Sequence, residues 1–474
     1  MNRTRFLGAA CGAVAALCAV TTSAWAAPGL ASPDSARPVN QEYVKQQIAG
    51  RVSRDEARAA IKPYAIASYE RQFGKSEAQA TESLVRQSLV PNLELALVER
   101  LGDGLADIEF DNDAGEWVVY ATDKVDPSEL KNTMAGLGLG SAYRSESVSA
   151  PRPSMAAAVK RAEDWAAASK INAKIGSDPK GVEVTLSGDD QKKFATELAA
   201  LRREVADLPG GPSVNVETEI VEPATPGVTC ATWTGPTPPS PLRICDTWVG
   251  GPYYQAGTKA CTAGFYAGWS GSPWPHQLTA GHCNYGLAYQ TGVLTVNPLQ
   301  GWWTGVGVTG SYSYGGPTAP GNGTGDVAVI GMTLGGPVGV YPGYFNWGSG
   351  GLSTVHWVQL GPPAVGTWMC MNGATTGSSC GYVTNGDTNG AILDSDGSTH
   401  YVQHQIEMWG SCLNHGDSGG PTTLAASETA VGVNSAFYVT NQCGGYRPNG
   451  SPNYNYVSPV YELVYNWGMV IYTA

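Results

Sequence analysis

Two short segments of this 474-residue chain hold side chains that together could attack a carbonyl. They are Leu278-Thr-Ala-Gly-His-Cys283 and Gly416-Asp-Ser-Gly-Gly-Pro421. A serine hydroxyl is a poor nucleophile at neutral pH unless a neighbouring base takes its proton. Ser418 sits among glycines, which let backbone and substrate approach closely and leave nearby amides free to face an oxyanion. His282 is the candidate base. A carboxylate must then fix the imidazole tautomer and stabilise the imidazolium. Between His282 and Ser418 the acids are Asp326, Asp387, Asp394, Asp396, Glu407 and Asp417. Asp326 is preferred, because Gly325-Asp-Val-Ala-Val-Ile330 places it at the start of an apolar strand, where it could be buried. Asp387, Asp394 and Asp396 lie in polar or Gly-rich turns, and Asp417 adjoins the nucleophile and is expected to point away from it. Either segment alone fits a structural loop. The order His, Asp, Ser within one Cys-containing β region is far more specific.

The elements that must position these residues fall in the second of two unlike regions. Residues 1–226 hold 25 Lys+Arg and 31 Asp+Glu, whereas 227–474 hold 3 and 9, so one composition cannot describe the chain. With only Arg243, Lys259 and Arg447, the second region lacks the clustered bases a nucleic-acid surface needs. Its 45 Gly could suggest disorder, but 11 Trp and 18 Tyr supply ample surface to bury. Residues 1–26 read as a secretory signal: Arg3 and Arg5, an apolar Phe6–Val20, and a small-x-small site at Ala24-Trp25-Ala26. The apolar stretch is shorter than the ~20 residues a span requires, so a soluble, exported product with oxidised cysteines is expected and no membrane partner.

From 27 to 226 the pattern is that of a packed α/β domain. Helices are expected over Gln41–Lys62, over Glu82–Leu101 with a break at Pro91, over Pro153–Lys170 and after Ser187; strands are expected at 107–110, 117–122 and 214–220. The region has no His and, past the leader, no Cys, so binding or assistance is expected of it rather than catalysis. A Pro-containing boundary, Val221–Gly227, precedes the second region. There the helical period disappears, and short apolar runs between Gly, Pro, Asn and Asp clusters indicate antiparallel β structure, with a helix expected only in the tail 460–471.

Residues 249–474 resemble the chymotrypsin-fold serine proteases, specifically the secreted bacterial branch of α-lytic protease and the streptogrisins. The resemblance rests on TAGHC at 279–283, on Cys370-Met-Asn-Gly-Ala-Thr-Thr-Gly-Ser-Ser-Cys380-Gly381, and on Cys412 with GDSGGP. It implies an all-β two-barrel chymotrypsin-like protease domain (227–474) preceded by an α/β pro-domain (27–226). It implies His282 as general base, Asp326 as its orienting acid, Ser418 as nucleophile, and the amides of Gly416 and Ser418 as oxyanion hole. The family pattern suggests Cys261–Cys283, Cys370–Cys380 and Cys412–Cys443, which leaves Cys230 and Cys245 to pair with each other. It also implies a pro-domain that assists folding, for which slow non-local β pairing gives a reason, and then inhibits until self-cleavage near 221–229.

Substrate preference is read by the same resemblance. The pocket-base position that holds Asp in trypsin-like relatives is Cys412 here, and the His of glutamate-selective relatives corresponds to Asn434 if Ser435 is the substrate-pairing serine. Ser435, Ala436 and Phe437 would pair with substrate backbone, Leu413 would line a wall, and His415 could touch the rim. An apolar or small residue before the cut is expected. Bacterial relatives usually carry a basic residue where this chain has Met371, so the partner of Asp417 is left open among Arg243, Lys259, Arg447 and a new N-terminal amine. No cofactor is expected. His400 and His404 are explained better as surface polar residues than as metal ligands. The competing class is a non-catalytic binder of glycans through its aromatic residues. A third reading, an esterase, fits less well because GDSGG is not the elbow of α/β-hydrolases, a G-x-S-x-G set on a strand–helix turn.

Overall fold

The computed structural model describes residues 38–171, 173–218, 225–226, 247–250, 253–256, 259–269, 275–285, 287–288, 291–296, 303–314, 325–332, 339–346, 352–394, 397–437 and 453–474. The leader at 1–26 and Cys230, Cys245 and Cys443 lie outside the described residues.

The N-terminal part begins with helices Gln41–Ile48, Arg54–Ala60, Pro63–Phe73, Glu77–Ser88 and Leu93–Leu101. The single helix expected over 41–62 is two, for a local reason. Ser53 caps the second through a capping box with Glu56. A Cβ on Gly50 would stand 2.5 Å from the Trp357 ring, so the chain must pass there without a side chain. Helix Pro63–Phe73, missed from the pattern, starts on a proline and stops at Gly74 in the left-handed region, φ 62°. Strands Leu105–Asp111, Glu116–Ala121 and Tyr143–Ser147 form a small sheet with helix Pro127–Gly136 between the second and third. A second unit packs helices Arg152–Ser169 and Ala195–Ala206 on strands Lys174–Asp178, Gly181–Leu186 and Ser213–Thr218, around Ala158, Ala162, Val182, Val184, Leu198 and Leu201.

The C-terminal part is the all-β fold expected, built around two largely antiparallel sheets, with a third of Leu352–Thr354, Gly339–Asn346 and Thr247–Gly250 whose last two strands are parallel. One runs, in spatial order, Lys259–Thr262, Tyr253–Ala256, Gly292–Val296, Trp303–Tyr314, Asp326–Met332, His276–Thr279, Tyr266–Trp269 and Met469–Ile471. The other runs Trp368–Gly373, Pro421–Leu424, Thr429–Phe437, Asn455–Pro459, Thr399–Trp409 and Gly377–Leu393, and the last strand pairs back with the first, closing a barrel. The tail is helical only over Tyr461–Trp467 before it enters the first sheet.

The two parts share one interior. Tyr69, Leu84 and Leu97 from the first belong to the same apolar cluster as Val358, Trp368 and Leu463 from the second. Tyr69 and Phe73 set their rings against Trp368 at 5.2 and 5.7 Å. Buried amides bridge the seam: Asn92 donates to Val358 O (2.9 Å) and accepts from Leu360 N (2.7 Å), and Asn112 donates to Gly366 O (2.8 Å). The barrel's sheet also continues across it, where Asn389 pairs with Ile175 of strand Lys174–Asp178.

Candidate active site

His282 opens a short helical turn, Gly281–Asn284, directly after strand His276–Thr279. Two facts fix its place. Cys283 is disulfide-bonded to Cys261, and a Cβ on Gly281 would lie 2.0 Å from Ser313 O, so only glycine permits the approach. Asp326 begins its strand between Trp303–Tyr314 and His276–Thr279 and is fully buried, as is His282. Its Oδ1 accepts from the His282 backbone N–H at 2.7 Å, and its Oδ2 accepts from His282 Nδ1 at 2.7 Å. The Ser435 hydroxyl donates to the same Oδ2 at 2.5 Å, and the Asp326 amide donates to Ser458 Oγ at 3.2 Å. Burial alone would raise the Asp326 pKa. The neighbouring His282, its ring N–H, the Ser435 hydroxyl and the His282 amide outweigh it and hold the carboxyl below its ordinary range. An ionised Asp326 accepts only, so Nδ1 carries the proton and Nε2 is left basic.

Ser418 comes from the other sheet, in the turn before Pro421–Leu424. Gly416 and Gly419 take φ 94° and 84°, values that L side chains resist. Among the described residues the amides of Gly416 and Ser418 have no acceptor, as an oxyanion-binding pair requires. The Ser418 hydroxyl donates to Ser435 O at 3.4 Å, while His282 Nε2 has no hydrogen-bond partner. The two are thus not hydrogen-bonded to each other in this state, a contact that often tightens only with substrate.

Strand Thr429–Phe437 supplies Ser435, Ala436 and Phe437. Thr225–Pro226 lies antiparallel on it, Pro226 opposite Ala436 and Thr225 opposite Phe437. Phe437 and Leu413 are buried in one cluster with Met408 and Val457, and the His415 ring stands 5.3 Å from Phe437. Cys370 is bonded to Cys380, and Cys412 is disulfide-bonded. Met371 is buried among the apolar residues of the barrel, and Lys259 pairs with Asp394 rather than Asp417. Arg243 and Arg447 lie outside the described residues.

His400 and His404 do not share a ligand site. His400 stacks on Tyr314 at 4.2 Å, while His404 takes φ 55° and turns its Nδ1 to Asp387 at 3.1 Å. A metal-type grouping of Cys261, His282 and Cys283 is closed to an ion by the disulfide. Residue spacing could not reveal Ser435 as a donor to Asp326, because that role arises from a contact 109 positions apart.

No family model and no curated protein matches the chain. Among solved structures it is similar to a chymotrypsin of Cellulomonas bogoriensis, at 26% identity over 48% of this chain and 98% of that one, TM-score 0.34. It is similar to Thermobifida fusca protease A, at 26% over 48% and 98%, TM-score 0.35. An α-lytic protease homologue, N4, stands at 26% over 48% and 99%, TM-score 0.34.

Proposed function

We propose that residues 227–474 are a secreted serine endopeptidase made as a precursor, acting through an acyl-enzyme on protein or peptide substrates. The observation that carries this reading is the buried His282–Asp326 pair, with Nε2 basic, on one sheet and the Gly-flanked Ser418 turn on the other. His282 Nε2 takes the Ser418 proton as Oγ attacks the carbonyl. The amides of Gly416 and Ser418 hold the oxyanion, a donor pair of which each member is worth about 10²–10³ in turnover. The imidazolium, stabilised by Asp326, then protonates the leaving amine, and water repeats the sequence to release the acyl group.

Residues 27–226 are read as the pro-domain. The shared core with Trp368 supports a folding role, since it would hold distant strands together. Thr225–Pro226 on Ala436 and Phe437 supports inhibition, because that strand is the one assigned to substrate backbone. Maturation within 221–229 follows. The burial of Leu413 and Phe437 around the pocket region favours a small or apolar residue before the cut. Labelling with a serine-directed fluorophosphonate tests the central step. The processed protein should react at Ser418, and a glycan-binding protein on this scaffold would stay unlabelled.

A further inference from the structure

The turn that carries Ser418 passes through two glycines at positive φ, whose backbone freedom must be restrained from outside. Asp417, fully buried, accepts at Oδ1 from the amides of Thr375 (2.7 Å) and Thr376 (2.9 Å) and at Oδ2 from the amide of Asn414 (2.9 Å). A Cβ on Gly373 would lie 2.2 Å from that Oδ1, so glycine there is what admits the carboxylate. From the other side comes Asn434, also fully buried. Its Nδ2 donates to Asn372 O (2.9 Å) and to Asp417 O (3.1 Å), and its Oδ1 accepts the Thr422 hydroxyl (2.8 Å). Thr262 adds a hydroxyl to Gly416 O at 2.6 Å. Among the described residues no Lys or Arg pairs with Asp417.

We infer that Asp417 and Asn434 are positioning residues, a clamp of neutral donors that sets the Gly416–Ser418 amides for an oxyanion without a cation or a newly freed N-terminal amine. The inference rests on the endopeptidase reading. A buried carboxylate lacking a counter-ion is costly unless its oxygens are hydrogen-bonded. Three amides meet that need and belong to the segment 374–376 and to the turn itself, so the charge ties two loops together. Asn434 ties strand Trp368–Gly373 to the same turn, donating to Asn372 O and adding to the Gly420 amide on Asp417 O, and a hydrophobe or an ionised acid would remove both donations.

The test uses the self-processed protein from the full-length chain, with Asn434→Leu, Asp417→Asn and the milder Thr422→Val beside wild type. The expected result is a fall in kcat and in fluorophosphonate labelling of about tenfold or more for the first two, and a smaller fall for Thr422→Val, with KM within about twofold. Cyanate near neutral pH modifies α-amines ahead of lysine side chains, because a free α-amine is the weaker base by about two units or more. That treatment should leave kcat unchanged. Wild-type kcat in Thr422→Val together with either other variant, a KM rise at constant kcat, or loss of activity on carbamylation would overturn the clamp. If Asn434→Leu and Asp417→Asn fail to fold, Thr422→Val and the carbamylation decide. A wild type that never labels overturns the enzyme reading itself, and the clamp with it.

Discussion

The N-terminal and C-terminal parts use polar groups in opposite ways. In the first, carboxylates and bases lie mainly at the surface, as in Arg144 with Asp111, Glu116 and Glu146, where solvent screens them. In the second, few charges exist, but Asp326 and Asp417 are fully buried and each is surrounded by directed donors. Ample surface charge favours solubility without fixing any one side chain. Sparse, buried charge in a rigid β frame fixes orientation, which is what acid–base chemistry requires. Asp326 and Asp417 also differ from each other. A neighbouring imidazole helps hold the first below its ordinary pKa, whereas burial raises the second above its own, the amides notwithstanding.

The comparison can be broken at several points. The largest effect is expected for Ser418→Ala, with labelling abolished and turnover lowered by about 10⁶ if the serine works as a unit with His282; residual labelling at another serine would move the nucleophile. Asp326→Asn should cost about 10⁴ in kcat, because an amide can donate to Nδ1 and favour the wrong tautomer. Retention of kcat would show that the buried pair is only structural. Asp326 also carries a pH signature. Its folded-state pKa is depressed, so its stabilising contribution is present above the unfolded carboxylate range and is lost as pH falls through the lower folded value. Unfolding midpoints of wild type and Asp326→Asn should therefore converge in acid.

At the seam of the two parts, Trp368→Ala removes the ring that Tyr69 and Phe73 face and should cost about 3–5 kcal/mol in the full-length chain. Active yield should fall with it; an unchanged denaturant midpoint would show that the shared core contributes little. The smallest effect is expected at His404. Its hydrogen bond to Asp387, opposed by burial and aided by the charges of Asp387, Glu462 and Glu163, raises its pKa to about 9. A raised value gives stability that is complete below the ordinary histidine range and is lost as pH rises through about 9. The midpoints of wild type and His404→Gln should thus differ at neutral pH and merge above it, and a constant offset would rule the pair out.

What could be read in the sequence was local. His282, Asp326 and Ser418 stood out because each lies in a short run whose neighbours explain it: a cysteine, an apolar strand, a glycine turn. The strands on either side of Asp111–Gly115 and the helix break at Pro91 were legible for the same reason. The split of 41–62 into two helices was not, since Gly50 yields there to a tryptophan 307 positions away. Nor was the true work of Ser435 and Asn434, whose partners are brought to them only by the closing of the barrel. The reading of His400 as a surface residue is also overturned, since its ring is buried against Tyr314, while His404 turns to Asp387 on a left-handed backbone.

The meeting of the two parts through Asn389 and Ile175 covers a strand margin that their separation would bare. Strand Gly377–Leu393 pairs with Trp368–Gly373 only as far as Tyr382; beyond it the strand is paired to Thr399–Trp409 on one side and meets strand Lys174–Asp178 on the other. If residues 27–226 leave, as proposed, that stretch would face water as an unpaired margin, open to adhesion by any extended chain. The margin is irregular, with register shifts at three places between Val383 and Gly390, and a kinked edge is a poor template. The same irregularity would guard a barrel freed of residues 27–226 against sticking to its own kind.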